Sequence, residues 1–239
     1  MHSQFAIIKN VIHLQAALDT LMTRDAHVPG MGLIHGSTGF GKTATVTWMI
    51  NRIGARYVRA SATWTPSAML TTIMRELGLE PLRSGNAVMV DQISDRLRAG
   101  NHVLFIDEAD YLLDNKKMIE TVRDLHDVAT TPVVLIGMEG IERKLAQRQQ
   151  LARRIAQWVE FRPADLADAR ILTEAVCEVS LEDDLIEHLL TEAKGNVGNM
   201  TVGLARIEQA AKAGSWKRID REKWGNRQLF LSRAPSVRG

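Results

Sequence analysis

Residues 36–43 read Gly36-Ser37-Thr38-Gly39-Phe40-Gly41-Lys42-Thr43, and this stretch decides the fold. It matches G-x-x-x-x-G-K-[ST] at every fixed position, follows a short apolar run at 31–35 and opens a helical pattern over 42–54. Glycines let backbone N–H groups turn inward around an anion, and the helix that follows offers its positive N-terminal end. The stretch therefore predicts a phosphate-binding loop between a strand and a helix of an α/β fold.

The positions of this loop have separate expected roles. Lys42 is expected to reach the β- and γ-phosphates of a nucleotide, and the Thr43 hydroxyl is expected to bind Mg²⁺. The expected nucleotide contacts are Gly36, Ser37, Thr38, Gly39, Phe40, Gly41, Lys42, Thr43 and Ala44.

Two adjacent carboxylates end a second apolar run, at 103–108. Ligands of an open parallel sheet bind at the carboxyl ends of its strands. Asp107 is therefore expected to hold Mg²⁺, directly or through water, and Glu108 to orient and deprotonate an attacking water. A carboxylate in the position of Glu108 favours an ATPase over a small-molecule or nucleotide kinase, and the absence of Asn-Lys-x-Asp from the sequence favours ATP over GTP.

Apolar strands alternate with helical patterns in the first two thirds of the chain, as in a parallel sheet with helices on both faces. The predicted strands are 31–35, 56–60, 103–106, 132–136 and 158–161, and the predicted helices are 10–24, 42–54, 67–77, 87–99 and 115–129. Three helices follow at 165–176, 182–193 and 199–213, without a strand between them. These patterns predict a three-layer α/β domain at 1–163, a small all-helical lid at 164–214 and a basic tail at 215–239.

The composition excludes several classes of protein. Of 239 residues, 45% are hydrophobic and 24% charged, which is ordinary for a globular protein, and no apolar run is long enough to span a membrane. Residues 1–5 show no secretion signal, and the single Cys177 has no partner for an internal disulfide, so we expect a cytoplasmic protein. The seven histidines do not cluster at metal-binding spacing, so no zinc site is predicted.

Positive charge is concentrated in the predicted tail. The chain carries +2 overall, whereas residues 215–239 carry +5 and the remainder carries −3. The basic residues of the tail are Lys217, Arg218, Arg221, Lys223, Arg227, Arg233 and Arg238, interleaved with Trp216, Trp224 and Phe230. Basic side chains with aromatic neighbours suit nucleic-acid binding, and a solvated terminal segment would show the same composition.

Taken together, these motifs resemble those of the AAA+ ATPases. The resemblance rests on Gly36–Thr43, on Phe105-Ile-Asp-Glu-Ala-Asp110, on Gly137 after an apolar strand, on an Arg pair before another strand and on the helical lid. The strings Ile106-Asp-Glu-Ala-Asp110, Val122-Arg-Asp-Leu-His126, Val134-Leu-Ile-Gly-Met138 and Leu151-Ala-Arg-Arg-Ile155 resemble the branch of transposition regulators that includes the phage Mu B protein. The resemblance covers residues 8–213.

This resemblance implies an ATP-binding protein that assembles head to tail on double-stranded DNA, as a ring or filament, and delivers that DNA to a transposase. An Arg of one subunit would reach the γ-phosphate held by its neighbour; Arg154 matches that position best, followed by Arg153 and Arg148. Val11 and Ile12 would line the adenine pocket or simply pack in the core. The proposed DNA-phosphate contacts are Arg59, Arg75, Lys116 and Lys117.

Two departures from the AAA+ pattern predict weak or partner-dependent hydrolysis. Met138 occupies a position that usually carries Asn, Ser or Thr, and Gly198-Asn199 replace a lid motif that often carries Arg. A non-catalytic ATP-gated scaffold therefore stays open as a function. A helicase loader or replication initiator is the alternative within AAA+ proteins; an initiator would carry a winged-helix domain after the lid, where this sequence has 25 residues.

Overall fold

The computed structural model of the protein describes residues 4–25, 27–80 and 85–230. The chain divides into two compact units. The sheet unit consists of His13–Thr38 and Lys42–Phe161, and the helical unit consists of the residues up to Ile12, the tripeptide Gly39–Gly41 and the residues from Arg162 onward. The predicted tail residues Arg233 and Arg238 lie outside the described ranges.

A five-stranded parallel sheet forms the centre of the sheet unit, in the order β2-β3-β4-β1-β5. The strands are β1 (Met31–His35), β2 (Arg56–Arg59), β3 (Leu104–Asp107), β4 (Val133–Ile136) and β5 (Ile155–Glu160). This sheet confirms the predicted α/β class. The strand expected at 158–161 begins earlier, at Ile155, because the edge strand β5 has exposed residues between buried ones and therefore lacks a continuous apolar run.

Helices connect the strands of this sheet. They are α1 (Lys9–Thr23), α2 (Lys42–Ile53), α3 (Pro66–Glu76), α4 (Asn86–Ala99), α5 (Asp110–Leu113), α6 (Lys116–Ala129), α7 (Ile141–Ala146) and α8 (Gln149–Ala152). Polar caps fix where two of them begin: the Thr65 side chain accepts from Ala68 N at the start of α3, and Asn115 accepts from Lys117 N at the start of α6. The helices α5, α7 and α8 were not predicted, because four to six residues are too few to show a helical period.

The strand order brings three loops to one edge of the sheet. β4 lies between β1 and β3, so the carboxyl ends of all three strands are neighbours. Gly137 N donates to Ile34 O at 2.9 Å, and Ala109 N donates to Ile136 O at 2.8 Å, which extends the pairing just beyond the strands. The phosphate-binding loop, the Asp107–Glu108 pair and the Gly137 loop therefore share this edge.

The helical unit has a separate apolar core and is not entirely helical. Its elements are α9 (Leu166–Val176), β6 (Ser180–Leu181), α10 (Asp183–Ala193), α11 (Val197–Ala213), β7 (Arg218–Ile219) and α12 (Arg221–Trp224). β6 pairs in parallel with β7. The expectation of a strand-free segment at 164–214 is therefore corrected at β6, because a two-residue strand is too short to leave a pattern in sequence.

The described part of the predicted tail packs into this core. Trp224 is 1% exposed, Ile219 and Leu229 are buried with it, and the Arg227 guanidinium stacks on the Trp216 ring at 5.4 Å. Residues 215–230 are thus neither a solvated segment nor a row of aromatic side chains open to bases.

None of the helices within the described ranges is both long and apolar enough to cross a membrane.

Candidate active site

The backbone of the glycine-rich loop explains two of its glycines. Gly36 has φ +139°, and a Cβ there would lie 2.5 Å from Phe161 O, because the end of β5 runs beside this turn. Gly39 has φ +87°, and a Cβ there would lie 2.1 Å from the Asn196 side chain. The positive φ disfavours a side chain at both positions, and at Gly36 the backbone oxygen of Phe161 also leaves no space for one.

Lys42, the first residue of α2, turns back over the start of the loop. Its ammonium donates to Gly36 O at 2.5 Å and to Ser37 O at 2.9 Å. Burial lowers the pKa of Lys42, and four nearby carboxylates oppose this by favouring the charged form. These carboxylates belong to Asp107, Glu108, Asp110 and Glu139.

The Asp107 carboxylate is held on both oxygens. Oδ1 accepts from Glu108 N at 2.8 Å, and Oδ2 accepts from the Tyr57 hydroxyl at 2.7 Å. Burial and this hydrogen bond raise the pKa of Tyr57, so the phenol stays protonated and donates. Each Asp107 oxygen keeps a further lone pair, which leaves the carboxylate able to bind a cation.

Glu108 follows in a strained backbone conformation and pairs with an arginine. Its φ is +54°, a left-handed value that non-glycine residues rarely adopt and that is often found at functional sites. Arg59 Nη2 donates to Glu108 Oε1 at 2.9 Å, and this hydrogen bond raises the pKa of Arg59. Arg59, expected to contact DNA, therefore contacts the predicted catalytic carboxylate.

Three further groups at this edge were not predicted from the sequence: Tyr57, Asp110 and Glu139. The Asp110 carboxylate accepts from Met138 N at 2.9 Å, and the Ser37 hydroxyl donates to Glu139. The alternation of β2 was an available signal for Tyr57, because it lies two residues before Arg59 and so on the same face. Met138 itself is 47% exposed and presents a thioether rather than an amide or hydroxyl.

The arginine pair lies at the opposite edge of the sheet. Arg154 O accepts from Met31 N at 2.9 Å, at the amino end of β1, so one strand of about 13 Å separates this point from the loop after β1. The Arg154 guanidinium binds Asp127 through both oxygens at 2.6–2.9 Å and donates to Gln150 O at 2.9 Å. The Arg153 side chain is exposed and makes no hydrogen bond or ion pair with the described residues, while its backbone N–H donates to Gln149 O at 3.1 Å.

Both arginines line a cavity of about 370 Å³ at this amino edge. The Arg148 guanidinium, the third candidate, donates to Leu113 O at 3.3 Å. Of the three arginines, Arg153 is therefore the one whose side chain is not engaged within its own chain.

Val11 and Ile12 were expected to line the adenine pocket, and only Ile12 has an exposed side chain. Val11 is 1% exposed and lies in the core, whereas Ile12 is 51% exposed. Adjacent helix residues point about 100° apart, so the two side chains do not face a common surface.

The predicted DNA contacts fall in three places. Lys116 and Lys117 line a second cavity of about 370 Å³ with Pro66 and Asn86, so the N-termini of α3, α4 and α6 meet there. Arg75 lies in the last turn of α3, about 13 Å along the helix from Pro66. Arg59 lies at the end of β2, beside Glu108.

Several solved structures share this fold. The Aeropyrum pernix Orc1 protein, solved in complex with DNA, is 19% identical, has a TM-score of 0.60 and matches 90% of this chain and 62% of its own. The A. pernix Orc2 protein, solved as ADPNP-ADP complexes, is 17% identical with a TM-score of 0.66 over 90% of this chain and 65% of its own. Domain III of the Thermotoga maritima replication initiation protein DnaA is 14% identical with a TM-score of 0.56, over 92% of this chain and 91% of its own.

At these identities the likeness shows a common fold, and the chain spans less than two thirds of the length of the two A. pernix proteins. Among curated proteins no sequence matches the chain. No finding distinguishes the transposition-regulator branch, which stays a prediction. A family profile described as AAA domain matches residues 24–145, just over half of the chain and most of the sheet unit. The chain therefore belongs to the family of AAA domains, the AAA+ ATPases.

Proposed function

We propose that the protein is an ATPase that binds double-stranded DNA in an ATP-dependent manner, assembles head to tail on it, and delivers this target DNA to a transposase that it stimulates. One observation carries the ATPase part: Lys42, Asp107 and Glu108 lie at one sheet edge of a chain from the AAA+ family. The DNA and transposase parts rest on the resemblance of the sequence to transposition regulators.

The residues at this edge have separate roles in hydrolysis. Lys42 would bind the β- and γ-phosphates, and Glu108 would take a proton from the attacking water. Asp107 and Thr43 fit Mg²⁺, since carboxylate and hydroxyl oxygens are ligands it prefers, and the bound ion would neutralise charge on the phosphates.

The Arg59–Glu108 ion pair gives DNA a route to control hydrolysis. The Glu108 oxygen that accepts from Arg59 is engaged in that hydrogen bond and is less available to accept from an attacking water. The Arg59 side chain is 68% exposed, so a DNA phosphate would compete with Glu108 for it. DNA binding at Arg59 would thereby release Glu108 for catalysis.

Replacing Arg59 with Ala is expected to raise DNA-independent ATP hydrolysis several-fold and to abolish further stimulation by DNA, because Glu108 is then always unpaired. Steady-state phosphate release with and without duplex DNA measures both effects. Arg170→Ala is the matched control, since it removes the same charge from another exposed arginine–carboxylate pair, with Asp183, and is not among the proposed DNA contacts. Equal hydrolysis by Arg59→Ala and the wild type would contradict this coupling.

Arg153 and Arg154 are expected to differ when changed to Ala. Arg153→Ala should lower hydrolysis in the assembled protein about tenfold or more without changing the melting temperature, since an exposed arginine then fails to reach the neighbour's γ-phosphate. Arg154→Ala should also cost about 1 kcal/mol of stability, because the pairing with Asp127 is lost. Mixing Arg153→Ala subunits with Glu108→Gln subunits should restore part of the activity if the arginine acts between chains; additive loss would argue against this.

Lys116 and Lys117 are the best-placed DNA-phosphate contacts. They share one cavity with three helix N-termini, whose partial positive charge adds to that of the lysines, and with the Glu120 carboxylate, which offsets part of it. Binding carried by such phosphate contacts has little sequence preference and falls steeply with salt.

The deciding experiment measures binding of the wild type to duplex and single-stranded DNA with ATP, with ADP and with a slowly hydrolysed ATP analogue, at ~0.1 M salt. The proposal expects cooperative duplex binding and large assemblies with triphosphate only, and none with Lys42→Ala. Lys116→Ala/Lys117→Ala should weaken binding and reduce its salt dependence. Stimulation of a transposase by the protein then tests the proposed role in transposition. Nucleotide-independent binding would overturn the proposal, and a preference for single strands would favour a helicase loader or initiator.

A further inference from the structure

Asn10 is a buried polar residue in the first turn of α1 and is 6% exposed. Its Oδ1 accepts from Arg162 N at 3.1 Å, while its Nδ2 donates to Arg162 O at 2.8 Å and, more weakly, to Phe40 O at 3.4 Å. Because a backbone N–H only donates, the bond from Arg162 fixes which end of the Asn10 amide carries the oxygen. The amide is thus locked with its N–H groups toward Arg162 and the glycine-rich loop.

A backbone N–H at the start of α11 holds the carbonyl group of Gly39, the residue before Phe40 in the loop. Gly198 N, in the first turn of α11, donates to Gly39 O at 3.0 Å. The Asn196 side chain caps the same helix by accepting from Asn199 N and fills the space where Gly39 would carry a Cβ. The carbonyl groups of two consecutive peptides, those of Gly39 and Phe40, are therefore both held from the helical unit.

Because peptide groups are planar, these contacts also fix the directions of two N–H groups of the loop. None of the described residues follows a cis peptide bond, and in a trans peptide the C=O and the next N–H point in opposite directions. Gly198 therefore directs the N–H of Phe40 away from α11, and Asn10 directs the N–H of Gly41 away from α1. Neither of these two N–H groups has a hydrogen-bond acceptor among the described residues.

From these contacts we infer that Asn10, together with the Gly198 N–H, is a positioning residue for nucleotide binding: it orients the backbone donors of Phe40 and Gly41 toward the phosphates. The inference rests on the proposed function and adds a residue outside the G-x-x-x-x-G-K-[ST] motif. Because an oriented donor loses less entropy when it binds, the loss of Asn10 should weaken phosphate binding specifically.

Two variants test this role. Asn10→Ala removes all three hydrogen bonds, and Asn10→Asp keeps an acceptor for Arg162 N but has no donor for Phe40 O. Both should bind a fluorescent ADP about tenfold more weakly than the wild type, the effect expected from losing the one hydrogen bond that orients the loop, to Phe40 O. Amide hydrogen exchange without nucleotide should accelerate at residues 38–44 and stay unchanged in α10. Ile207→Val, a small change in the core of the helical unit, is the control for lost stability.

The outcomes separate the inference from the proposed function. If the wild type binds neither ADP nor ATP, the proposed function fails. If it binds ADP and both Asn10 variants bind with wild-type affinity, only the positioning role is overturned. The positioning role is also overturned if Ile207→Val weakens ADP binding as much as the Asn10 variants do at the same loss of stability. Should Asn10→Ala fail to fold, the isosteric Asn10→Asp decides the result.

Discussion

Replacing Glu108 with Gln is expected to lower the rate of ATP hydrolysis about 100-fold or more while ATP binding stays near wild type. The amide cannot take a proton from water, so the chemical step is lost. Its oxygen can still accept from Arg59, so the local structure is kept. Single-turnover hydrolysis and the equilibrium affinity for ATP measure the two effects separately. Assemblies on DNA formed by this variant with ATP should persist, because the triphosphate is not consumed.

Asp110→Asn is the matched control for this change. It also removes one of the four carboxylates near Lys42, and its side-chain oxygen can still accept from Met138 N. If Asp110→Asn slows hydrolysis as much as Glu108→Gln, the effect reports the charge around Lys42 and not a general base. Wild-type hydrolysis by Glu108→Gln would show that another group activates the water, and absence of hydrolysis from both proteins would indicate a nucleotide-gated scaffold.

The sequence was sufficient to predict the parts of the site that lie on one continuous stretch. The loop at 36–43 and the Asp107–Glu108 pair each follow an apolar strand, and the topology rule for parallel sheets brings both to one edge. Arg59 and Tyr57 were placed elsewhere or overlooked, because their contacts with Asp107 and Glu108 depend on β2 lying beside β3. That pairing joins residues about 50 positions apart, and no local pattern encodes it.

The same limit applies to Asn10 and to the arginine pair. Asn10 and Arg162 are 152 positions apart, and Asn10 looks in sequence like any polar residue at the start of an amphipathic helix. Arg154 resembled a free arginine, whereas the fold places Asp127 beside it. Long-range polar pairs of this kind decide which of several arginine side chains is held within its own chain. Among the described residues, the Arg153 side chain has no such partner.

Trp224 shows how composition misleads when the tertiary context is missing. Interleaved with basic residues, it suggested stacking on bases, but its ring is 1% exposed in the core of the helical unit. Trp224→Ala is therefore expected to lower the free energy of unfolding of that unit by about 3–5 kcal/mol, measured by urea denaturation followed by circular dichroism. The indole Nε1 is buried without a hydrogen-bond partner among the described residues, so the N–H offsets part of the stabilisation that comes from burying the ring.

Trp224→Phe is the control that separates a core residue from a base-stacking one. It keeps an aromatic ring and removes only the unpaired N–H and part of the ring volume, so its cost should be well below that of Ala. If Trp224 is a core residue, the free energy of unfolding should fall with side-chain volume from Trp to Phe to Ala. The DNA affinity of Trp224→Phe should then stay unchanged. If Trp224→Ala instead unfolds at the wild-type urea concentration and loses DNA affinity, the residue stacks on bases and the packing of 215–230 must differ when DNA is bound.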